Sequence, residues 1–239
     1  MPRFFIDYTP NERAEIIGGD ARHIALSLRM KLGDEIVLTN SGVDYFCEIE
    51  SINPEMVALS VKGSSPCKAE PSVKLTLYQA MPKSDKLETI VQKAVELGVC
   101  RIVPVLTRRC ISRPKQNDFE KKRVRLEKIA LEAAKQSGRG IVPEITPMMS
   151  FEQALEDMKK SDFMLMCYEN GGKHFNEINL PHDCNIALLI GSEGGFDMEE
   201  AKQAVDAGAT SIWLGERILR CETAPLAAIS IIMHMTKNF

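Results

Sequence analysis

The 239-residue chain has no two cysteines in a C-x-x-C pair. Its seven cysteines are odd in number and its four histidines are scattered, which argues against a zinc site or a disulfide framework. No stretch approaches the roughly twenty apolar residues a membrane span needs, and the opening MPRFFIDYTP has no apolar signal core. The expectation is a reduced, cytoplasmic protein that engages neither metal nor membrane. No G-x-G-x-x-G follows an early strand, which speaks against a nucleotide-binding oxidoreductase. The formal net charge is only -3, so total charge announces no nucleic-acid partner.

The distribution of charge says more. Between Arg101 and Arg139 twelve Lys or Arg stand against four Asp or Glu, a local positive excess inside an acidic protein. With 44% hydrophobic residues the chain can bury one or two cores, and its length favours two domains. We place the boundary at residues 70/71. The first part reads as β: a strand at Arg3 to Ile6, a short helix from Asp20 to Met30, then a hairpin around Asn40-Ser41-Gly42 and a further strand in MVALSVK. GSSPCKAEPS, residues 63–72, reads as a linker.

Beyond it, strands alternate with helices. VKLTLYQA, RIVPVLT, DFMLMCYE, NIALLIG and SIWLG are apolar runs. Helices are predicted over 85–97, with Asp85 and Glu88 at capping-box spacing, over 118–136, after Ser150, after Asp197, and from Thr223 to about Thr236. This is the pattern of an α/β domain with a mostly parallel sheet flanked by helices.

In such sheets ligands lie beyond the carboxyl ends of the strands, and two of those ends are unusual. NIALLIGSEGGF (185–196) ends in glycines that allow close backbone approach, with Glu193 among exposed N–H groups; no Gly-Lys-Ser/Thr completes a P-loop. An ordinary strand-to-helix turn fits as well. SIWLGERILRCETAPLAA (211–228) packs Glu216, Arg217, Arg220 and Glu222 around Ile218 and Leu219. That mixture suits a pocket for a flat apolar group and a charged one. A salt-bridged surface loop is the other reading. Thr223 can cap the following helix and Pro225 is tolerated in its first turn.

Together the two loops resemble the late motifs of the RsmE family, the bacterial 16S ribosomal RNA uridine-N3 methyltransferases of the SPOUT superfamily. Those motifs run approximately G-P-E-G-G-F and L-G-x-R-I-L-R-x-E-T-A. MPKSDKLETIVQKAVELGV (81–99), KQSGRGIVPEI (135–145) and HIALSLRMKLGDEI (23–36) extend the likeness to nearly the whole chain. Ser192 stands where the family commonly has Pro, and Cys221 where it often has Thr.

The resemblance implies a PUA-like RNA-binding β-barrel over 1–70 and a SPOUT methyltransferase domain with a C-terminal trefoil knot over 71–239. It implies S-adenosyl-L-methionine as cofactor, 16S rRNA within the 30S subunit as substrate, and a homodimer. The cofactor would lie against Ile190, Gly191, Ser192, Gly194 and Gly195 of one loop. Leu214, Gly215, Ile218, Leu219, Thr223 and Ala224 would hold it from the second, and Tyr168 and Glu169 from a third. Arg220 is the leading candidate to stabilise charge developing on the uracil, with Glu222 to orient Arg220 or take the N3 proton, and Glu193 as a further base candidate. His23 and Arg29 are candidate RNA contacts, Lys83, Lys86 and Arg139 candidate RNA or cofactor contacts, and Lys121, Arg125, Lys128 and Lys135 form a basic helix face. Solvated charge and a structural role for His23 also fit. The alternatives are a related enzyme acting on another RNA or on a ribose 2′-hydroxyl, or a non-catalytic RNA-binding assembly factor.

Overall fold

The computed structural model describes residues 1–239, which divide into two compact units. Residues 1–70 form the first together with 134–141; the second comprises 71–133 and 142–239.

The first unit is a five-stranded sheet. Its strands are β1 (Arg3–Phe5), β2 (Arg13–Ile17), β3 (Glu35–Asn40), β4 (Val43–Ile52) and β5 (Met56–Pro66), in the order β1-β3-β4-β5-β2. The β1–β3 pair is parallel; the others are antiparallel. Ser41 and Gly42 both take positive φ, which a two-residue hairpin loop requires. A helix α1 (Gly18–Arg22) runs into a wider π-type turn over His23–Ser27, sending Ala21 and Ile24 into a core of Phe4, Ile16, Ile36, Leu38, Ile49 and Leu59. β2 is not predicted by the sequence: only Ala14 and Ile16 point inward, too short an alternation to register, and its pairing with β5 defines it. The linker expected from residue 63 begins later, because β5 continues to Pro66 against Val43. Glu70 ends this unit by accepting hydrogen bonds from Arg139 (Nη2, 2.7 Å) and from the N–H groups of Gly140 (2.8 Å) and Ile141 (3.0 Å).

The second unit runs β6 (Lys74–Ala80), α2 (Lys86–Glu96), β7 (Arg101–Leu106), α3 (Gln116–Ser137), β8 (Glu144–Ile145), β9 (Met149–Ser150), α4 (Phe151–Met158), β10 (Phe163–Cys167), β11 (Asn185–Ile190), α5 (Met198–Asp206), β12 (Thr210–Ile212) and α6 (Ala224–Met235). The last turn of α3 is counted with the first unit. The sheet order is β12-β10-β11-β6-β7-β8, with β9 also on β7, and every pair is parallel. A parallel sheet covered on both faces needs apolar strands throughout, and five successive residues of β11, Ile186 to Ile190, are buried.

Helix termini follow the sequence in part. Ser150 and Gln153 form a reciprocal capping box on α4, and Gly98 ends α2 at φ +96°. The box expected at Asp85 is absent: Asp85 is not extended, and Glu88 pairs instead with Arg125 at 2.8 Å. Thr223 likewise makes no capping bond, having helical backbone angles itself. No helix is long and apolar enough to cross a membrane.

Candidate functional site

Three adjacent strands set the site. β12, β10 and β11 lie side by side and run parallel, so their carboxyl ends open at one sheet edge. The segments that leave them, 213–224, 167–169 and 190–195, enclose a cavity of about 720 Å³.

The β11 loop is a tight turn in which Gly195 N–H donates to Ser192 O (3.0 Å) and Gly195 takes φ +64°. Its glycines bring backbone and neighbours into close approach. A β-carbon on Gly191 would stand 3.2 Å from Gly195 Cα, and one on Gly195 would collide with the Glu169 carboxylate. Arg109 Nη1 braces the turn from outside through Gly194 O (3.0 Å). Ile190, Leu214, Leu219 and Ala224 give the cavity apolar wall, and Tyr168, Glu169, Ser192, Gly194 and Gly215 also line it. Ile218 stands at the mouth, 87% exposed.

β12 stops at Ile212, earlier than predicted, so Trp213 leaves the ladder, lines the cavity and meets His174 edge-on at 4.9 Å. The following loop places Arg220 at the lining with an exposed guanidinium that makes no ion pair. Its carbonyl accepts from Thr223 and Ala224 N–H (2.8 and 2.9 Å), which starts α6. Thr223 is exposed and not part of the lining, a correction to its expected place, since that turn carries its side chain outward.

Lys86, expected at RNA or at the cofactor, lines the cavity. Its Nζ lies 3.2 Å from Glu193 Oε1 and 3.0 Å from Glu222 Oε2. Glu193 Oε1 also accepts from Lys83 N–H at 3.0 Å. Glu222 is therefore engaged by Lys86, and the expected orientation of Arg220 by Glu222 is not seen. Burial pushes both carboxyls up. Backbone N–H groups of residues 193 and 83 and then Lys86 outweigh it for Glu193; Lys86 and Cys221 do so for Glu222. Both are held below the ordinary carboxylate range and are anions at neutral pH. Lys86 is pushed up in turn by Glu222 and Glu193. Burial, then Glu222, raises the Cys221 thiol to about 12, which keeps it protonated at neutral pH.

Other candidates lie elsewhere. Arg139, expected at RNA, is buried at 2% exposure and bound to Glu70, because its guanidinium closes the 134–141 segment onto residue 70. His23 and Arg29 are exposed on the first unit. Lys83, Lys121, Arg125 and Lys128 are exposed, Arg125 being paired with Glu88. No cluster of three or more His, Cys, Asp or Glu is arranged to hold a metal ion. Glu216 and Arg217 of the mixed-charge loop line the cavity as that reading expects, and the lining residues not predicted are Cys167, Trp213 and Cys221. Two of these sit inside the 211–228 loop already singled out, and Cys167 precedes Tyr168, so adjacency was the available signal.

Residues 69–233 match the family model described as an RNA methyltransferase domain, and residues 16–62 match an RNA methyltransferase PUA domain. A ribosomal RNA small subunit methyltransferase E of Bacillus subtilis is 34% identical, over 99% of this chain and 98% of that protein. The protein of the same description from Mesomycoplasma hyopneumoniae is 37% identical over 95% of this chain and 96% of its own. A crystal structure of a ribosomal RNA small subunit methyltransferase E from Neisseria gonorrhoeae bound to S-adenosyl methionine superimposes with a TM-score of 0.89, at 30% identity and 98% coverage of both chains.

Proposed function

This chain belongs to the ribosomal RNA small subunit methyltransferase E family, and from that premise we propose that it methylates N3 of a uridine in 16S ribosomal RNA, using S-adenosylmethionine. The observation that carries the reading is the cavity formed where the three strand ends meet.

The residues present fit the donor. A volume of about 720 Å³ lies within the range of small-molecule sites. Ile190, Leu214, Leu219 and Ala224 offer apolar surface to a purine. Bare backbone at Gly191 and Gly195 allows close approach, and the Glu169 carboxylate across Gly195 is an acceptor suited to ribose hydroxyls. When bound, S-adenosylmethionine supplies an activated methyl group on a sulfonium centre. The protein supplies orientation and charge.

Uracil N3 carries a proton and lies on the base-pairing edge, so the base has to be unpaired to react. Arg220, exposed at the lining without a carboxylate partner, stabilises the negative charge that grows on the base as the proton leaves. Glu222, in the same turn, is the acceptor we assign, with Glu193 second. Exposed Lys121, Lys128, His23 and Arg29 supply contacts to phosphates and bases. The same reading includes the trefoil knot, a homodimer and the assembled 30S subunit as substrate.

Unmodified 30S subunits incubated with the protein and labelled S-adenosylmethionine, digested and analysed by mass spectrometry, should yield 3-methyluridine. Label on a ribose oxygen would redirect the target atom. No label, with the donor still bound, would favour a non-catalytic binder.

A further inference from the structure

β11 and β12 are not neighbours in the sheet: β10 lies between them. No strand pairing therefore fixes the 191–195 loop relative to the 216–222 loop, although the cavity needs both. The link comes from a third element. Lys86 is the first residue of α2, which follows β6, and β6 pairs with β11. From there its ammonium reaches Glu193 of one loop (3.2 Å) and Glu222 of the other (3.0 Å), with Cys221 Sγ at 3.8 Å. The Lys83 N–H on the same connection holds Glu193 from a second direction. With Glu222 so engaged, Arg220 keeps no carboxylate partner.

We propose that Lys86 is a positioning residue that clamps Glu193 and Glu222 and thereby holds the two loops in the arrangement that receives the methyl donor, instead of contacting RNA. The inference rests on the reading of the cavity as a donor site. Its chemistry is specific: one cation shared by two carboxylates on separate loops, a charge that arginine also carries and an apolar isostere does not.

The test compares Lys86→Met, Lys86→Arg and Glu222→Gln with the natural protein, each checked for folding by thermal unfolding. Without any cofactor, hydrogen–deuterium exchange should speed up in both 191–195 and 216–222 in Lys86→Met. Calorimetry should show S-adenosylmethionine binding about tenfold weaker in Lys86→Met, restored to within about threefold in Lys86→Arg. KM for 30S subunits should stay within about twofold. Lys86→Met/Glu222→Gln should bind the donor no worse than Lys86→Met alone, the non-additivity expected of groups that act through one another. A raised KM for subunits with unchanged donor affinity and exchange would make Lys86 an RNA contact and overturn the proposal. Unchanged exchange in both loops would overturn it as well, whether or not the natural protein binds the donor. Faster exchange in a natural protein background that binds no donor would keep the clamp and sink the donor-site reading. Should Lys86→Met fail to fold, Lys86→Arg against Glu222→Gln carries the same comparison.

Discussion

The carboxylate of Glu169 lies across the backbone of Gly195, where any β-carbon would collide with it. Two strand ends, those of β10 and β11, are thus packed through a glycine that also needs φ +64°. Gly195→Ala meets backbone strain of about 1–3 kcal/mol and pushes aside the Glu169 carboxylate, the movable end of an exposed side chain. Donor affinity should fall roughly tenfold or more by calorimetry, and stability should fall by a comparable 1–3 kcal/mol in denaturant titration. Glu169→Ala in the Gly195→Ala background should relieve the collision but leave the strain. An alanine variant with natural affinity and stability would show that the close approach of the two strand ends is not required.

Arg220 is exposed, lines the cavity and has no ion pair. A cation so placed is committed to neither the fold nor a carboxylate, so its loss should be felt in turnover. Arg220→Ala should lower kcat by about a hundredfold or more, in line with removal of a charge-stabilising donor, with Tm and donor affinity unchanged. Near-natural turnover would take Arg220 out of the chemistry.

How much of this is legible in the sequence depends on the range of the interaction involved. The α4 cap at Ser150, the stop at Gly98 and the glycine turn after β11 are written in a few adjacent residues, and the structure has them where the sequence puts them. The same holds for the two loops, because a glycine-rich or mixed-charge segment directly after an apolar strand is a local pattern. Lys86 defeats a local reading because its partners lie more than a hundred residues away and only the sheet order brings them near. Arg139 does so for the same reason: an arginine beside two glycines reads as exposed until Glu70 is seen to close on it. Thr223 departs from expectation through its backbone angles, which its identity does not reveal.

The buried position of Arg139 separates two kinds of cation. Lys121 and Lys128 are exposed on α3 without ion pairs, whereas Arg139 is inside. Lys121→Ala/Lys128→Ala should weaken binding to RNA and flatten the dependence of log affinity on log salt by about 0.7–0.9 for each phosphate the helix no longer meets. Stability should not change. Arg139→Ala should instead cost about 3 kcal/mol of stability, the penalty for breaking a largely buried pair in which Glu70 keeps only the N–H groups of Gly140 and Ile141. An unchanged salt slope in the double variant would show that this helix face does not meet phosphate.

Asp157 at the end of α4 gives the second unit a pH dependence of known sign. Its Oδ2 accepts from Tyr78 OH (2.9 Å) and Arg101 Nη1 (2.6 Å), and its Oδ1 from Lys160 (2.8 Å), with the side chain only 12% exposed. Burial raises its pKa, but the hydrogen bonds from Lys160, Arg101 and Tyr78 more than offset that and take it from 3.8 to about 2. A folded-state value below the unfolded one means that the ion contributes stability above about pH 4, worth about 2 kcal/mol at 1.36 kcal/mol per unit. That contribution fades as the pH falls from 4 towards 2, because protons then bind the unfolded chain first. In urea titrations the natural protein should lose about 2 kcal/mol more than Asp157→Asn between pH 6 and pH 2. Parallel stability curves for the two would mean that the carboxylate carries no net ionic stabilisation, and that the Tyr78–Arg101 cluster holds α4 to the sheet by packing alone.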